Sequence, residues 1–242
     1  MRVSFLWLIF LLVGCAAQDL SKISLEEKVA LGDKFYEQGK YSEAIPYYDA
    51  AVFQKIGSNT QEISFRLADC YMQKKQYTSA SLEYKQILAD YPRFEKLNEV
   101  YFNLAVCYQH LALDPQYDQK ERYEQIKFLK MFLSLYPYDQ KVDEAKKLLK
   151  DAYYQLTLKK YYNALIYYKI FDYPSAMLYF KEVLDELDGK KVEAFKKSLF
   201  YVCLIHLQWD ERSLAESYAA DLEYYFPQSF EAMEAKKRLQ QK

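Results

Sequence analysis

Apolar residues recur three and four positions apart along most of the chain, which is the spacing of amphipathic helices. The clearest stretch runs from Val142 to Ile170 and is long enough for a single helix of many turns. Its apolar stripe consists of Ala145, Leu148, Leu149, Ala152 and Leu156. With 5 glycines and 6 prolines among 242 residues, turn residues are too scarce for a β-sandwich or a doubly wound sheet. The pattern therefore predicts an all-α fold.

The helical pattern also repeats, with small and aromatic residues at fixed offsets. The first copy contains Leu31-Gly32, Phe35, Ala44 and Tyr48, and the second contains Leu67-Ala68, Tyr71, Ala80 and Tyr84. The later copies have Leu104-Ala105, Ala164 and Val202-Cys203 at the corresponding positions of their first helices. Helix stops recur at Tyr91-Pro92, Tyr136-Pro137 and Phe226-Pro227. Two antiparallel helices approach closely only where the facing residues are small, and nearby aromatic rings then fill the remaining space.

These offsets resemble the tetratricopeptide repeat (TPR). They predict a TPR-like α-solenoid of about five helical hairpins, closed by a C-terminal cap helix from about Phe230 to Leu239. The second helix of the third repeat is expected over Glu121 to Leu135, after an insertion near residues 114–119. The alternative is a bundle of unrelated helical hairpins.

The N-terminus has the pattern of a secretion signal. A short positive start is followed by an apolar run from Val3 to Val13 that is too short to span a membrane and ends at Gly14-Cys15. This ending resembles the bacterial lipobox, in which the cysteine receives the lipid, so Cys15 is the predicted lipidation site. The alternative is an ordinary secretory signal with a chance cysteine. By the same resemblance, alanine rather than aspartate at positions 16 and 17 favours the outer membrane.

The predicted organisation follows from these segments. Residues 1–14 are a lipoprotein signal peptide and residues 15–22 a lipidated linker. The N-terminal repeats one to three occupy residues 23–139. Residues 140–242 hold repeats four and five and the cap helix. The formal net charge of −1 gives no long-range attraction to nucleic acid, so no nucleic-acid partner is expected.

The layout as a whole resembles the BamD (ComL-type) lipoprotein family of the outer-membrane β-barrel assembly (BAM) machine. The resemblance covers nearly all of the chain after the signal. It is carried by Asp114-Pro115-Gln116, by Phe132-Leu133 with Tyr136-Pro137, and by Tyr161-Tyr162-Asn163-Ala164 with Tyr167-Tyr168 and Ala176. The chain departs from the family at Leu187-Asp188-Gly189, where Tyr-Pro is expected.

The resemblance implies a scaffold on the periplasmic face of the outer membrane, held there by its lipid anchor. Its C-terminal repeats would bind the barrel-forming insertase, and its N-terminal repeats the C-terminal targeting signals of unfolded outer-membrane proteins. A second hypothesis is a TPR lipoprotein of another envelope machine, such as a pilus or secretin system. An enzyme, for example a murein hydrolase, is not expected, because repeats and cap leave no segment for a catalytic domain.

In TPR domains the first helix of each repeat lines a concave groove. The corresponding positions here are Val29, Asp33, Tyr36, Phe65, Asp69, Met72, Phe102 and Val106. An apolar strip with an acidic rim suits an extended peptide with aromatic anchors, so we predict peptide binding at these residues. The alternative is that some of them pack internally and close the groove.

Other residues of chemical interest are interpreted as structural. Cys70, Cys107 and Cys203 occupy repeat positions typical of small core residues. His110 and His206 are far apart and lack a second ligand at helical spacing, so no metal site is expected. No phosphate-binding loop or nucleophile motif is present in the sequence, so no cofactor is expected. Lysine pairs such as Lys146-Lys147 are interpreted as solvated helix faces.

Overall fold

A computed structural model describes residues 20–54, 60–190 and 192–241. In these ranges a short 3-10 turn, Leu20–Lys22, precedes eleven α-helices. The helices are α1 (Leu25–Glu37), α2 (Tyr41–Phe53), α3 (Thr60–Gln73), α4 (Tyr77–Asp90), α5 (Leu97–Leu111), α6 (Lys120–Leu135), α7 (Val142–Lys169), α8 (Tyr173–Glu186), α9 (Glu193–Gln208), α10 (Arg212–Tyr225) and α11 (Phe230–Gln241). The prediction of an all-α, TPR-like fold is confirmed. None of the helices in this part of the chain is long and apolar enough to cross a bilayer.

Most predicted helix boundaries agree with the structure to within one or two residues. The long helix ends at Lys169 rather than Ile170, and the cap helix continues to Gln241. The aromatic residue of each aromatic-proline pair caps its helix: the N–H of Tyr91, Tyr136 and Phe226 donates to the carbonyl four residues earlier. The following proline cannot continue that pattern, because it lacks an N–H.

The chain forms two compact units, which divide between Lys74 and Lys75. In the first unit, α2 packs on both α1 and α3. In the second unit, each helix from α4 to α11 packs on the next, and α11 also packs on α9. The sequence predicts a different division, between residues 139 and 140, which separates repeat three from repeat four. That division stays a prediction about repeat boundaries.

The first hairpin depends on a glycine at the place where α1 and α2 approach. Gly32 is buried on α1, and a Cβ added there would lie 2.7 Å from Cε1 of Tyr48 on α2. Tyr48 itself is fully buried, as is Ala44 one turn earlier. The ring of Tyr48 therefore fills the space that a side chain at position 32 would otherwise occupy.

In the second unit the same close approach uses alanine and cysteine. Ala164 of α7 and Ala176 of α8 are fully buried. In the next hairpin Cys203 of α9 lies with its Sγ 3.3 Å from the carbonyl oxygen of Ala215 on α10. The cysteine therefore serves as a small residue that lets the two helices meet, as the sequence predicted.

Four hairpin turns contain one residue in the left-handed region. These residues are Gly39, Lys75, Phe171 and Asp210, with φ between 58° and 70°. In the turn between α7 and α8, the N–H of Asp172 donates to the carbonyl of Tyr167. In the turn between α9 and α10, the N–H of Glu211 donates in the same way to the carbonyl of His206. This bond closes the end of the first helix. A phenylalanine in this conformation costs about 1–2 kcal/mol that glycine would not.

The connection between α6 and α7 is tied to α5 through Asp139. Asn98 donates to one carboxylate oxygen of Asp139 at 2.7 Å, and the N–H of Lys141 donates to the other at 2.8 Å. These two hydrogen bonds favour the charged carboxylate and lower the pKa of Asp139.

Replacing Gly32 by alanine should destabilise the protein. Overpacking against Tyr48 outweighs the better helix propensity of alanine, for a net loss of about 1–2 kcal/mol in the free energy of unfolding. Urea denaturation of Gly32→Ala measures this loss. In a Tyr48→Leu background, where the ring is gone, the same substitution should cost less. Equal cost in both backgrounds would show that the close approach is not its source.

Asp139→Ala should lower stability at pH 7 but not at low pH. Because the folded-state pKa of Asp139 is lowered, its contribution is present above the unfolded pKa, which is about 3.9. That contribution is lost as the pH falls through the lowered folded-state value. Thermal unfolding of wild type and variant from pH 7 to pH 2 measures the difference. The control is Asp143→Ala, since the Asp143 side chain is fully exposed; a loss that does not vary with pH would contradict the assignment.

Candidate functional site

The polar residues of the predicted groove in the first unit are engaged in hydrogen bonds between helices. Tyr36 of α1 donates its hydroxyl to Asp69 of α3 at 2.5 Å. Burial and this hydrogen bond raise the pKa of Tyr36, so its hydroxyl stays a donor at neutral pH. Asp69 therefore has a partner within the chain before any ligand arrives.

Asp33 is the centre of a second group, which joins all three helices of the first unit. One of its carboxylate oxygens accepts from the hydroxyl of Tyr48 on α2 and from the guanidinium of Arg66 on α3, both at 2.7 Å. The same guanidinium contacts Glu62 at 3.4 Å and lies 5.8 Å from the ring centre of Tyr36. The acidic rim predicted from the sequence is thus partly neutralised by an arginine that the sequence analysis did not single out.

The two aromatic anchors predicted for the groove are largely covered. Phe65 is 8% exposed and Phe102 4% exposed. Phe102 packs edge-on against Phe132, and the ammonium of Lys141 lies 4.6 Å from its ring centre. Burial gives both rings a packing role. That they anchor a peptide stays a prediction, as it does for the partly exposed Val29, Met72 and Val106.

The predicted lipidation site, Cys15, lies outside the described residues, as do the signal peptide and the first residues of the linker. The other three cysteines, Cys70, Cys107 and Cys203, are each fully buried. Burial raises the pKa of Cys70 and Cys107 to about 12 and that of Cys203 to about 11. The thiols stay protonated at neutral pH and are poor nucleophiles, which confirms their interpretation as core residues.

The histidines are engaged with aromatic rings. His110 stacks on Tyr77, with ring centres 4.2 Å apart. His206 is buried, stacks on Tyr218, and places Nδ1 2.6 Å from Glu211. Among residues 20–54, 60–190 and 192–241, no three His, Cys, Asp or Glu side chains cluster in a way that could hold a metal.

A large cleft in the second unit was not predicted from the sequence. Its volume is about 1310 Å³, above the roughly 300–1,000 Å³ of small-molecule sites. One face of α7 forms its floor, and the insertion before α6 and the end of α8 form its sides. Residues of α7 that line it include Lys146, Lys150, Tyr153, Tyr154, Thr157 and Lys160.

One side of the cleft is held by the insertion in the third repeat. Gln119 is 3% exposed, and its Nε2 donates to carbonyls of Asp114, Tyr117 and Asp118 at 2.9–3.2 Å. Lys159 of α7 donates to the carbonyl of Gln116 at 2.9 Å and so ties the insertion to the floor. These bonds fix the loop in place, although it has no helix of its own.

The other side is held by an ion pair network at the end of α8. Lys160 contacts Glu182 and Glu186, each at 2.7 Å, and Thr157 donates to Glu186 at 2.6 Å. Burial disfavours the charged form of Glu186, but the hydrogen bonds from Lys160 and Thr157 outweigh it and lower the pKa. Tyr179 also lines the cleft, and its ring stacks on that of Tyr167 with the ring centres 5.6 Å apart.

A helical-face signal for this cleft was present in the sequence. Lys146, Lys150, Tyr153, Thr157 and Lys160 recur at spacings of three and four, which places them on one face of α7. Lys146 was interpreted as part of a solvated helix face, and the face that it shares with Tyr153 was not recognised.

Comparison with known proteins supports the repeat assignment. Residues 29–93 match the family model described as "Tetratricopeptide repeat". No curated protein matches the chain in sequence. Similar solved structures include the first TPR domain of the human RPAP3 protein, which is 20% identical to this chain. The match covers 57% of this chain and 98% of that chain, and the TM-score is 0.42. MamA is 15% identical to this chain, the match covers 90% of this chain and 94% of that chain, and the TM-score is 0.39. Pseudomonas aeruginosa pilF is 16% identical, the match covers 88% of this chain and 82% of that chain, and the TM-score is 0.38.

Arg66→Met should destabilise the first unit, because it removes the cation between Asp33 and Glu62 and leaves the hydroxyl of Tyr48 as the remaining partner of Asp33. We expect a loss of about 1–2 kcal/mol in the free energy of unfolding, since Arg66 is only half-buried. Urea denaturation measures it. Arg93→Met is the control, because Arg93 is exposed. Equal losses in the two variants would refute the role assigned to Arg66.

Proposed function

We propose that this chain, which carries tetratricopeptide repeats, is a lipid-anchored scaffold of the outer-membrane β-barrel assembly machine. Tetratricopeptide repeats mediate protein–protein interactions, and the matched segment, residues 29–93, covers the first two repeats. In this proposal repeats four and five bind the barrel insertase, and repeats one to three receive the targeting signals of unfolded outer-membrane proteins. In this role the protein binds other proteins and catalyses no reaction.

The observation that carries the proposal is the order of elements around α7. The third hairpin is interrupted between α5 and α6 by an insertion of residues 112–119, and α7 then runs for 28 residues into the fourth hairpin. This is the arrangement by which the sequence resembles the BamD family. An ordinary array of equal repeats would have neither the insertion nor the extended helix.

The anchor is supported by the sequence at residues 1–15, outside the described ranges. An apolar run that ends in Leu12-Val13-Gly14-Cys15 supplies both the signal and the acceptor cysteine. Stable anchoring takes at least two acyl chains, at ~0.8 kcal/mol per buried CH₂. A processed lipoprotein cysteine carries that many, so Cys15 would hold the repeats at a membrane surface.

Affinity purification of the full chain from mildly solubilised native membranes tests the proposal. A large β-barrel protein with periplasmic POTRA domains should co-purify in near-stoichiometric amount, as identified by mass spectrometry. Recovery of a secretin or pilus protein in its place would overturn the assignment to β-barrel assembly and favour another envelope machine.

The anchor has its own test. Cys15→Ala should move the protein from the membrane fraction to the soluble fraction, because the lipid acceptor is lost. Cys203→Ala is the matched control: it also removes a thiol, but one inside the fold, and it should stay with the membrane. Membrane retention of the Cys15→Ala variant would contradict lipid anchoring at this residue.

A further inference from the structure

The cleft along α7 has a charge that differs in sign from that of the whole chain. Among the described residues that line it, five are lysines and three are acids, whereas the chain carries a net charge of −1. Lys160 is already paired with Glu186 and with Glu182, so the available positive charge comes from the other lysines. Lys146 is 64% exposed, with its ammonium 3.9 Å from the carboxylate of Asp143, and Lys150 is exposed as well. The cleft therefore offers positive charge to an incoming group.

The cleft also offers aromatic surface. Tyr123 is 62% exposed and Tyr153 42% exposed, while Tyr154 and Tyr179 are partly buried in its walls. Tyrosine presents a large apolar face at low entropic cost and is favoured at sites that bind proteins. Lysine charge and tyrosine faces together select a ligand that is both acidic and apolar.

The length of the cleft sets the size of the ligand. From Lys146 to Asn163 the floor helix rises about 25 Å, at about 1.5 Å per residue. An extended peptide covers this distance with about seven or eight residues, at about 3.3 Å each. The sides of the cleft are held by the ion pair network and by the fixed insertion, so little ordering is needed on binding.

We propose that this cleft binds an extended acidic segment of a partner protein, in which aspartate or glutamate alternates with apolar or aromatic residues. The acids meet the lysines of α7, and the apolar side chains lie against the tyrosines. The site is distinct from the predicted groove of repeats one to three. The inference rests on the proposed scaffold function, because it names one partner class of the scaffold.

Fluorescence anisotropy with the purified full chain in detergent tests the site without any assembly partner. The probe is a labelled eight-residue peptide of alternating aspartate and phenylalanine. It should bind saturably, and added salt should weaken binding. Lys146→Glu with Lys150→Glu should weaken binding at least about tenfold, because two attractive charges become repulsive. Tyr153→Ala should weaken it separately, with less change in salt dependence.

The matched control is Lys147→Glu with Lys169→Glu. Both lysines are exposed on α7, do not line the cleft, and give the same change in net charge. An equal loss of binding in the two double variants, or equal binding of an alternating lysine–phenylalanine peptide, would overturn the inference. Tighter binding of a thymidine octanucleotide would overturn it as well. Failure of the assay would leave β-barrel co-purification unaffected, so the two proposals can fail separately.

Discussion

The close approach of paired helices is the constraint on which this structure depends. In three of the hairpins a buried residue with little or no side chain stands where the two helices pack: Gly32 in the first, Ala164 with Ala176 in the fourth, and Cys203 in the fifth. Aromatic rings then occupy the space on either side, and Tyr48 and Phe180 are fully buried as a result. The large number of tyrosines follows in part from this demand for rings that fill space between helices.

Helices that are packed in this way present regular faces, and what each face offers depends on which of its polar groups are already paired. In the first unit, Asp33 and Asp69 are bound by Tyr48, Arg66 and Tyr36, so the acids hold helices together. In the second unit, the insertion and the end of α8 are bound to α7, and this leaves the lysines and tyrosines of the α7 face lining an open cleft. Electrostatic pairing thus holds the helices of the first unit together, and in the second unit it holds the two sides of the cleft in place.

The fold was predictable from the sequence, because helix spacing, small residues and aromatic-proline stops are local signals. Boundaries such as Val142, Leu135 and Phe230 follow directly from them. The sites were less predictable. That Phe65 and Phe102 are covered and that Arg66 neutralises Asp33 are consequences of packing between helices, which no single repeat encodes. The left-handed Phe171 was also unpredictable, since glycine would be the expected residue there.

The three buried thiols give the folded state a chemical protection that is lost when the chain opens. In the native protein their raised pKa values keep Cys70, Cys107 and Cys203 protonated and shielded from oxidants. In an unfolded chain the thiols return to a pKa near 8.5, and thiolates become available for exchange. Unfolding in an oxidising compartment would then be followed by intermolecular disulfides and become irreversible. The lifetime of the protein in such a compartment would be governed by how fast it unfolds rather than by an equilibrium between folded and unfolded forms.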